Sequence, residues 1–108
     1  MSAKRLHRVC AALPDAELTH PFGPDIDVYK VAGKVFAVLG GNVGGHRITL
    51  KCAPERAEIL VGEHEGIAEG YHMNKRHWIT VDPASVAAGL VEDLVDDSYF
   101  LVRPTPRR

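Results

Sequence analysis

The chain has 108 residues, 45% of them hydrophobic and 25% charged; that length supports one hydrophobic core and is too short for two, and the composition excludes disordered, collagen-like and disulfide-framework proteins. Thirteen Lys and Arg against fourteen Asp and Glu leave a formal net charge of −1, so no global field holds a polyanion and any nucleic-acid surface has to be local. No apolar run approaches the roughly 20 residues of a spanning helix, and the N-terminus lacks the apolar core of a secretory signal. The expectation is a single cytoplasmic domain over residues 1–108 with no membrane partner.

In chain order, Ser2 is placed to cap a first helix whose Leu6, Val9, Cys10 and Leu13 share one face. Pro14 ends it, residues 16–19 read as a short extended piece, and His20-Pro21-Phe22-Gly23-Pro24 is a connecting loop. Residues 27–39 carry β-branched and aromatic residues interrupted by Ala32-Gly33-Lys34, the pattern of a hairpin with glycine at its turn. A glycine-rich break over 40–45 leads into a strand from His46 to Cys52. There Ile48, Leu50 and Cys52 alternate with Arg47, Thr49 and Lys51, giving one apolar and one wet face. Pro54 opens a short middle helix with Ala57, Ile59, Leu60 and Val61 as its apolar stripe. Residues 67–81 read mostly as extended, Ile79 and Val81 facing one way and Trp78 and Thr80 the other. Asp82-Pro83 reads as the start of a last helix, with Val86, Leu90, Val91, Leu94 and Val95 on its buried side and Glu92, Asp93, Asp96 and Asp97 away from it. Pro104 stops it. Cys10 and Cys52 lie far apart in apolar surroundings and read as buried, reduced thiols.

The unusual chemistry is concentrated in Tyr71-His72-Met73-Asn74-Lys75-Arg76-His77-Trp78. Trp78 is the only tryptophan, and as a large amphipathic ring it suits an anchor between sheet and helix. The amide, ammonium and guanidinium just before it suit an anion or a nucleobase. His72 and His77 fall on opposite faces of a regular strand, and no metal-ligand spacing occurs, so a metal would need a further ligand such as His20 or His46; no metal or cofactor is expected. The glycine-rich break lacks the Gly-Lys-Ser/Thr of a P-loop, and Ser85, Ser98 and Cys52 have no nucleophile context, so no catalytic residue is assigned and no enzyme is expected.

Met73-Asn74-Lys75-x-His77-Trp78, the earlier run from Val28 to Ala37 and the late Ser98-Tyr99 pair together resemble the MmcQ/YjbR-like family of small bacterial proteins. The resemblance implies an α+β fold similar to CyaY, an antiparallel sheet packed by N-terminal, middle and C-terminal helices. It also implies a DNA-binding module of "double wing" type, while fold alone does not transfer the iron-related role of frataxin-like proteins. Two functions follow as expectations. In the first, Lys75 and Arg76, joined by Lys30, Lys34, Arg47 and Lys51 on the wet sheet face, contact DNA phosphates with hairpin tips as wings. In the second, Tyr71, His77 and Trp78 wall a site for a small aromatic or anionic ligand whose polar end is Asn74, Lys75 and Arg76.

Overall fold

The computed structural model describes residues 1–42, 45–70 and 76–104, with only the backbone at 41, 42, 45 and 46. Ser2 begins helix α1, Ala3–Ala11, by accepting a hydrogen bond from Arg5 N at 3.2 Å. Leu6 and Cys10 are fully buried on its inner face, with Val9 and Leu13 packed beside them. A three-residue strand β1, Glu17–Thr19, then pairs with β2, Ile26–Val31, across the proline-rich loop. Strands β2 and β3, Lys34–Asn42, form the expected hairpin. Its two turn residues, Ala32 and Gly33, both have positive φ (50° and 78°), the two-residue turn whose twist matches the strands and which glycine enters without steric cost.

The glycine-rich break is narrower than its composition suggests. β3 runs through Gly40 and Gly41 to Asn42 and pairs with β4, Gly45–Lys51, up to Asn42↔Gly45. Cross-strand hydrogen bonding thus overrides the weak strand preference of glycine over 40–42. Helix α2, Pro54–Glu63, starts with proline in its first turn and buries Ala57 and Leu60, whereas Ile59 points outward at 58% exposure. Ile59 is one residue off the three-and-four spacing of Ala57, Leu60 and Val61 and so leaves the stripe. The stretch 67–81 holds two short strands, β5 (Ile67–Glu69) and β6 (Trp78–Val81), joined by residues 70–77.

The last helix, α3, spans Ala88–Val102 and does not begin at Asp82-Pro83. Asp82 instead organises a tight turn: its carboxylate accepts from Ala84 N (3.0 Å) and Ser85 Oγ (2.8 Å), and its carbonyl accepts from Ser85 N (3.1 Å). An Asp before proline is equally suited to capping a helix and to closing such a turn, so the local signal is shared by both. Val86 is buried at the exit of the turn, and α3 then buries Val91, Leu94, Val95, Ser98, Tyr99 and Val102.

All strand pairs are antiparallel, and the six-stranded sheet has the order β1-β2-β3-β4-β6-β5. The inner face carries Tyr29, Ala37, Leu39, Ile48, Leu50, Ile79 and Val81, in one buried cluster with residues of all three helices. The protein is therefore a two-layer α+β fold with every helix on the same side of the sheet. Ion pairs tie the helices to one another at their rims, Arg5 to Glu92 at 2.6 Å and Arg56 to Asp97. Both thiols are free and buried, and burial pushes Cys10 up to about 12. Burial also raises Cys52, with Arg56 opposing and Asp97 adding to the shift.

The outer side of α3 has one electrostatic consequence for stability. Partial burial, then the neighbouring charges of Asp93, Asp97 and Glu92, raise the Asp96 carboxyl above the ordinary aspartate value. A carboxyl that holds its proton more tightly in the folded state costs stability once ionised, so this cost is absent in acid and grows as pH rises through the folded-state value. Asp96→Asn is therefore expected to raise the melting temperature near pH 7, by no more than about 0.5 kcal/mol equivalent for so solvated a site. The gain should vanish below about pH 4, where the aspartate is itself neutral; paired melting curves across pH measure it.

Candidate functional site

Register decides which of the predicted site residues meet. Lys51 pairs with Trp78 across β4 and β6, and Thr49 with Thr80. Since Ile79, Val81, Ile48 and Leu50 face the helices, alternation sends Lys51, Trp78, Thr49, Thr80 and Arg47 to the opposite, helix-free face. On β2 the same alternation puts Val28 and Lys30 on that face, with Lys30 paired to Glu17 of β1. Lys30 and Lys51 stand two strands apart, about 10 Å at the backbone.

This outer face is not uniformly wet. Val28, Thr49 and Thr80 in its middle row are buried, at 0%, 8% and 9% exposure, and the two threonine hydroxyls hydrogen-bond each other at 3.0 Å. The longer side chains occupy the rows on either side: Lys30, Lys51 and Trp78 in one, Arg47 in the other. All four are half-buried. Short, mutually satisfied residues in the centre therefore form a dry strip between two polar margins.

The cations expected to act together are divided by this arrangement. Arg47 lies 3.5 Å from the Asp82 carboxylate, which ties it to the turn before α3. Lys34 is exposed at the hairpin tip, in register with inward-facing Val31, and does not join the outer face. Arg76 and His77 are exposed in the turn before β6, where the His77 carbonyl accepts from Cys52 N at 2.8 Å. Tyr71, His72, Asn74 and Lys75 lie outside the described residues, as does the side chain of His46. On α3, Glu92 holds Arg5 and Asp97 holds Arg56, neither of which belongs to the predicted site.

Trp78 also borders a groove of about 340 Å³ between α2 and the β5–β6 edge. Ala57, Glu58 and Val61 come from the helix, and Glu69, Arg76 and Trp78 from the strand side. The helix residues follow the three-and-four spacing of one face. Glu58 and Glu69 carry no signal in the sequence, because each is an ordinary exposed glutamate until α2 is laid over the sheet edge.

A second polar constellation was equally invisible in the sequence. His20 Nε2 hydrogen-bonds Asp27 Oδ1 at 2.7 Å, His7 Nε2 lies 3.2 Å from Asp27 Oδ2, and His7 Nδ1 is 2.8 Å from the Tyr29 hydroxyl. A carboxylate only accepts, so the short His20 contact requires the proton on Nε2. The cluster joins α1, β2 and the proline-rich loop, and burial first, then Cys10 and Asp27, raise the Tyr29 hydroxyl above its usual value. Among the described residues no group of three or more His, Cys, Asp or Glu is arranged to hold a metal ion. No helix among them is long and apolar enough to cross a membrane.

The family model described as YjbR matches residues 11–101. The chain belongs to the YjbR family. Its similarity to the uncharacterized protein YbdF of Escherichia coli O157:H7 is 39% identity over 107 residues, covering 94% of this chain and 88% of that one. To the uncharacterized protein YjbR of Escherichia coli K12 it is 32% over 100 residues, covering 92% and 85%. Among solved structures, the Deinococcus radiodurans protein DR2400, described with a DUF419 domain, superposes with a TM-score of 0.86 at 37% identity, covering 94% of this chain and 78% of that one. A Pseudomonas syringae protein superposes with a TM-score of 0.83 at 30% identity, covering 95% and 100%. Three of the residues that carried the sequence resemblance have local structural duties here. Trp78 opens β6, and Ser98 hydrogen-bonds across the β3–β4 margin. Tyr99 packs edge-on against Phe36 and donates its hydroxyl to Pro14 O at 2.6 Å.

Proposed function

We propose that the helix-free face of this YjbR-family domain binds single-stranded DNA without catalysing a reaction. Lys30 and Lys51 contact phosphates, and the Trp78 indole packs on a base. The supporting observation is the register that sets the sole tryptophan beside Lys51 on the same face as Lys30. A sheet face with an aromatic ring and flanking cations is a common platform for unpaired strands. Glu17 beside Lys30 and the net charge of −1 limit the patch to two phosphates, so binding is weak and short-ranged.

The test uses the natural fluorophore. Titration with an unlabelled oligodeoxynucleotide should quench Trp78, and log K should fall linearly with log salt. Changing Lys30 and Lys51 together to alanine is expected to flatten that slope by about 1.4, at about 0.7 per phosphate for a single strand. Superimposable titrations of parent and double variant would overturn these roles.

The groove beside Trp78 favours a second reading, a binder of small organic molecules. Its volume of about 340 Å³ falls within the range of small-ligand sites. In that case a ligand stabilises the fold stoichiometrically and DNA does not.

A further inference from the structure

Resting on the groove reading, we propose that the occupant is a protonated amine carried on an apolar body, and not an anion. Among the described residues the walls supply two carboxylates, Glu58 from α2 and Glu69 from the end of β5, against one guanidinium, Arg76. The described lining therefore carries an excess of one negative charge. An ammonium has three donors and no acceptor, so it can serve carboxylates on both walls at once, which a carboxylate or phosphate ligand cannot do. Ala57, Ile79 and Trp78 also line the groove. The small and aliphatic residues suit a hydrocarbon body. A bound anion would meet two like charges for each favourable one. This reverses the ligand class suggested by Asn74, Lys75 and Arg76 alone, because both glutamates enter only through the fold.

Three probes that share a phenyl ring and a short chain separate the possibilities: 2-phenylethylamine, 2-phenylethanol and 3-phenylpropionate, each titrated against both the melting temperature and the Trp78 emission of the full chain. The amine is expected to saturate the signal, with the alcohol about tenfold weaker and the acid weaker still, the loss following from removal of a charge-assisted hydrogen bond. Changing Glu58 and Glu69 together to glutamine should weaken the amine about tenfold and leave the alcohol unchanged. Both side chains are exposed, so the thermal melt of that variant should match the parent. Tighter binding of 3-phenylpropionate than of the amine overturns the charge assignment and leaves a ligand groove standing. Equal binding of all three also overturns it. No response from any probe removes the groove reading together with the inference built on it.

Discussion

Replacing Ser98 by alanine is expected to lower the stability of the domain by about 2–4 kcal/mol, because one buried and one part-buried backbone group lose the hydroxyl that joins them. β3 carries a bulge: Tyr29 pairs with Ala37 and Lys30 with Val35, leaving Phe36 as the extra residue. On its other side β3 pairs with β4 only from Ala37↔Leu50 onward. The Phe36 carbonyl and the Lys51 amide beyond that point are instead joined through the Ser98 hydroxyl, which accepts from Lys51 N at 2.8 Å and donates to Phe36 O at 2.6 Å. Ser98 is 0% exposed, so water has no access to replace it, and each abandoned group carries its own desolvation cost of about 1–3 kcal/mol. For a domain of this size the melting temperature should fall by on the order of 10 °C or more. Hydrogen exchange at the Lys51 amide should accelerate beyond what the global destabilisation explains. An Ser98→Ala melt that overlays the parent would show that the hydroxyl bridge contributes nothing.

The same bridge marks the boundary of what could be read from the chain. The inward face of α1, the alternation along β4, the two sides of β6 and the buried stripe of α3 were legible, because each rests on a period that a dozen residues express by themselves. The bulge at Phe36 was not. It turns Phe36 inward beside Ala37, onto Tyr99 at 5.4 Å between ring centroids, and is bridged by a serine 62 residues away. The early start assigned to α3 failed because the Asp82 turn and a helix cap use the same side-chain chemistry.

For the candidate site, side-chain parity was legible and pairing was not. Trp78 and Lys51 each face outward by alternation within their own strands, but their adjacency depends on β6 lying next to β4 while β5 takes the edge. Arg47 belonged by parity to the same patch, yet Asp82, brought in by the turn after β6, holds it. Similarly, His7, Asp27 and His20 come from three segments, and no spacing rule connects them before α1 is laid along the sheet margin. Charge counted along a chain overstates a basic surface whenever the fold supplies the counter-ions.

Gly70→Ala is the second change expected to be strongly destabilising, by about 1–3 kcal/mol, as overpacking against atoms that cannot yield. Gly70 N donates to Trp78 O at 2.8 Å, continuing the β5–β6 pairing past Glu69. A Cβ on Gly70 would sit 2.5 Å from Trp78 Cβ and 3.0 Å from its carbonyl carbon and oxygen. Because these are backbone and near-backbone atoms, no rotamer change relieves the clash, and β5 or β6 has to shift. Gly62→Ala provides the contrast: Gly62 lies in α2 with open space around it, so alanine there should stabilise by up to about 1 kcal/mol through helix propensity. The same added methyl is thus expected to act with opposite sign at two glycines, which a pair of urea titrations would measure. The Gly70 variant should also change Trp78 emission in the native state and weaken whatever binds beside the indole, since both the outer face and the α2 groove are positioned through β6. Native-like stability and emission in Gly70→Ala would mean that β5 does not approach β6 this closely, and would remove the β5 wall on which the groove depends.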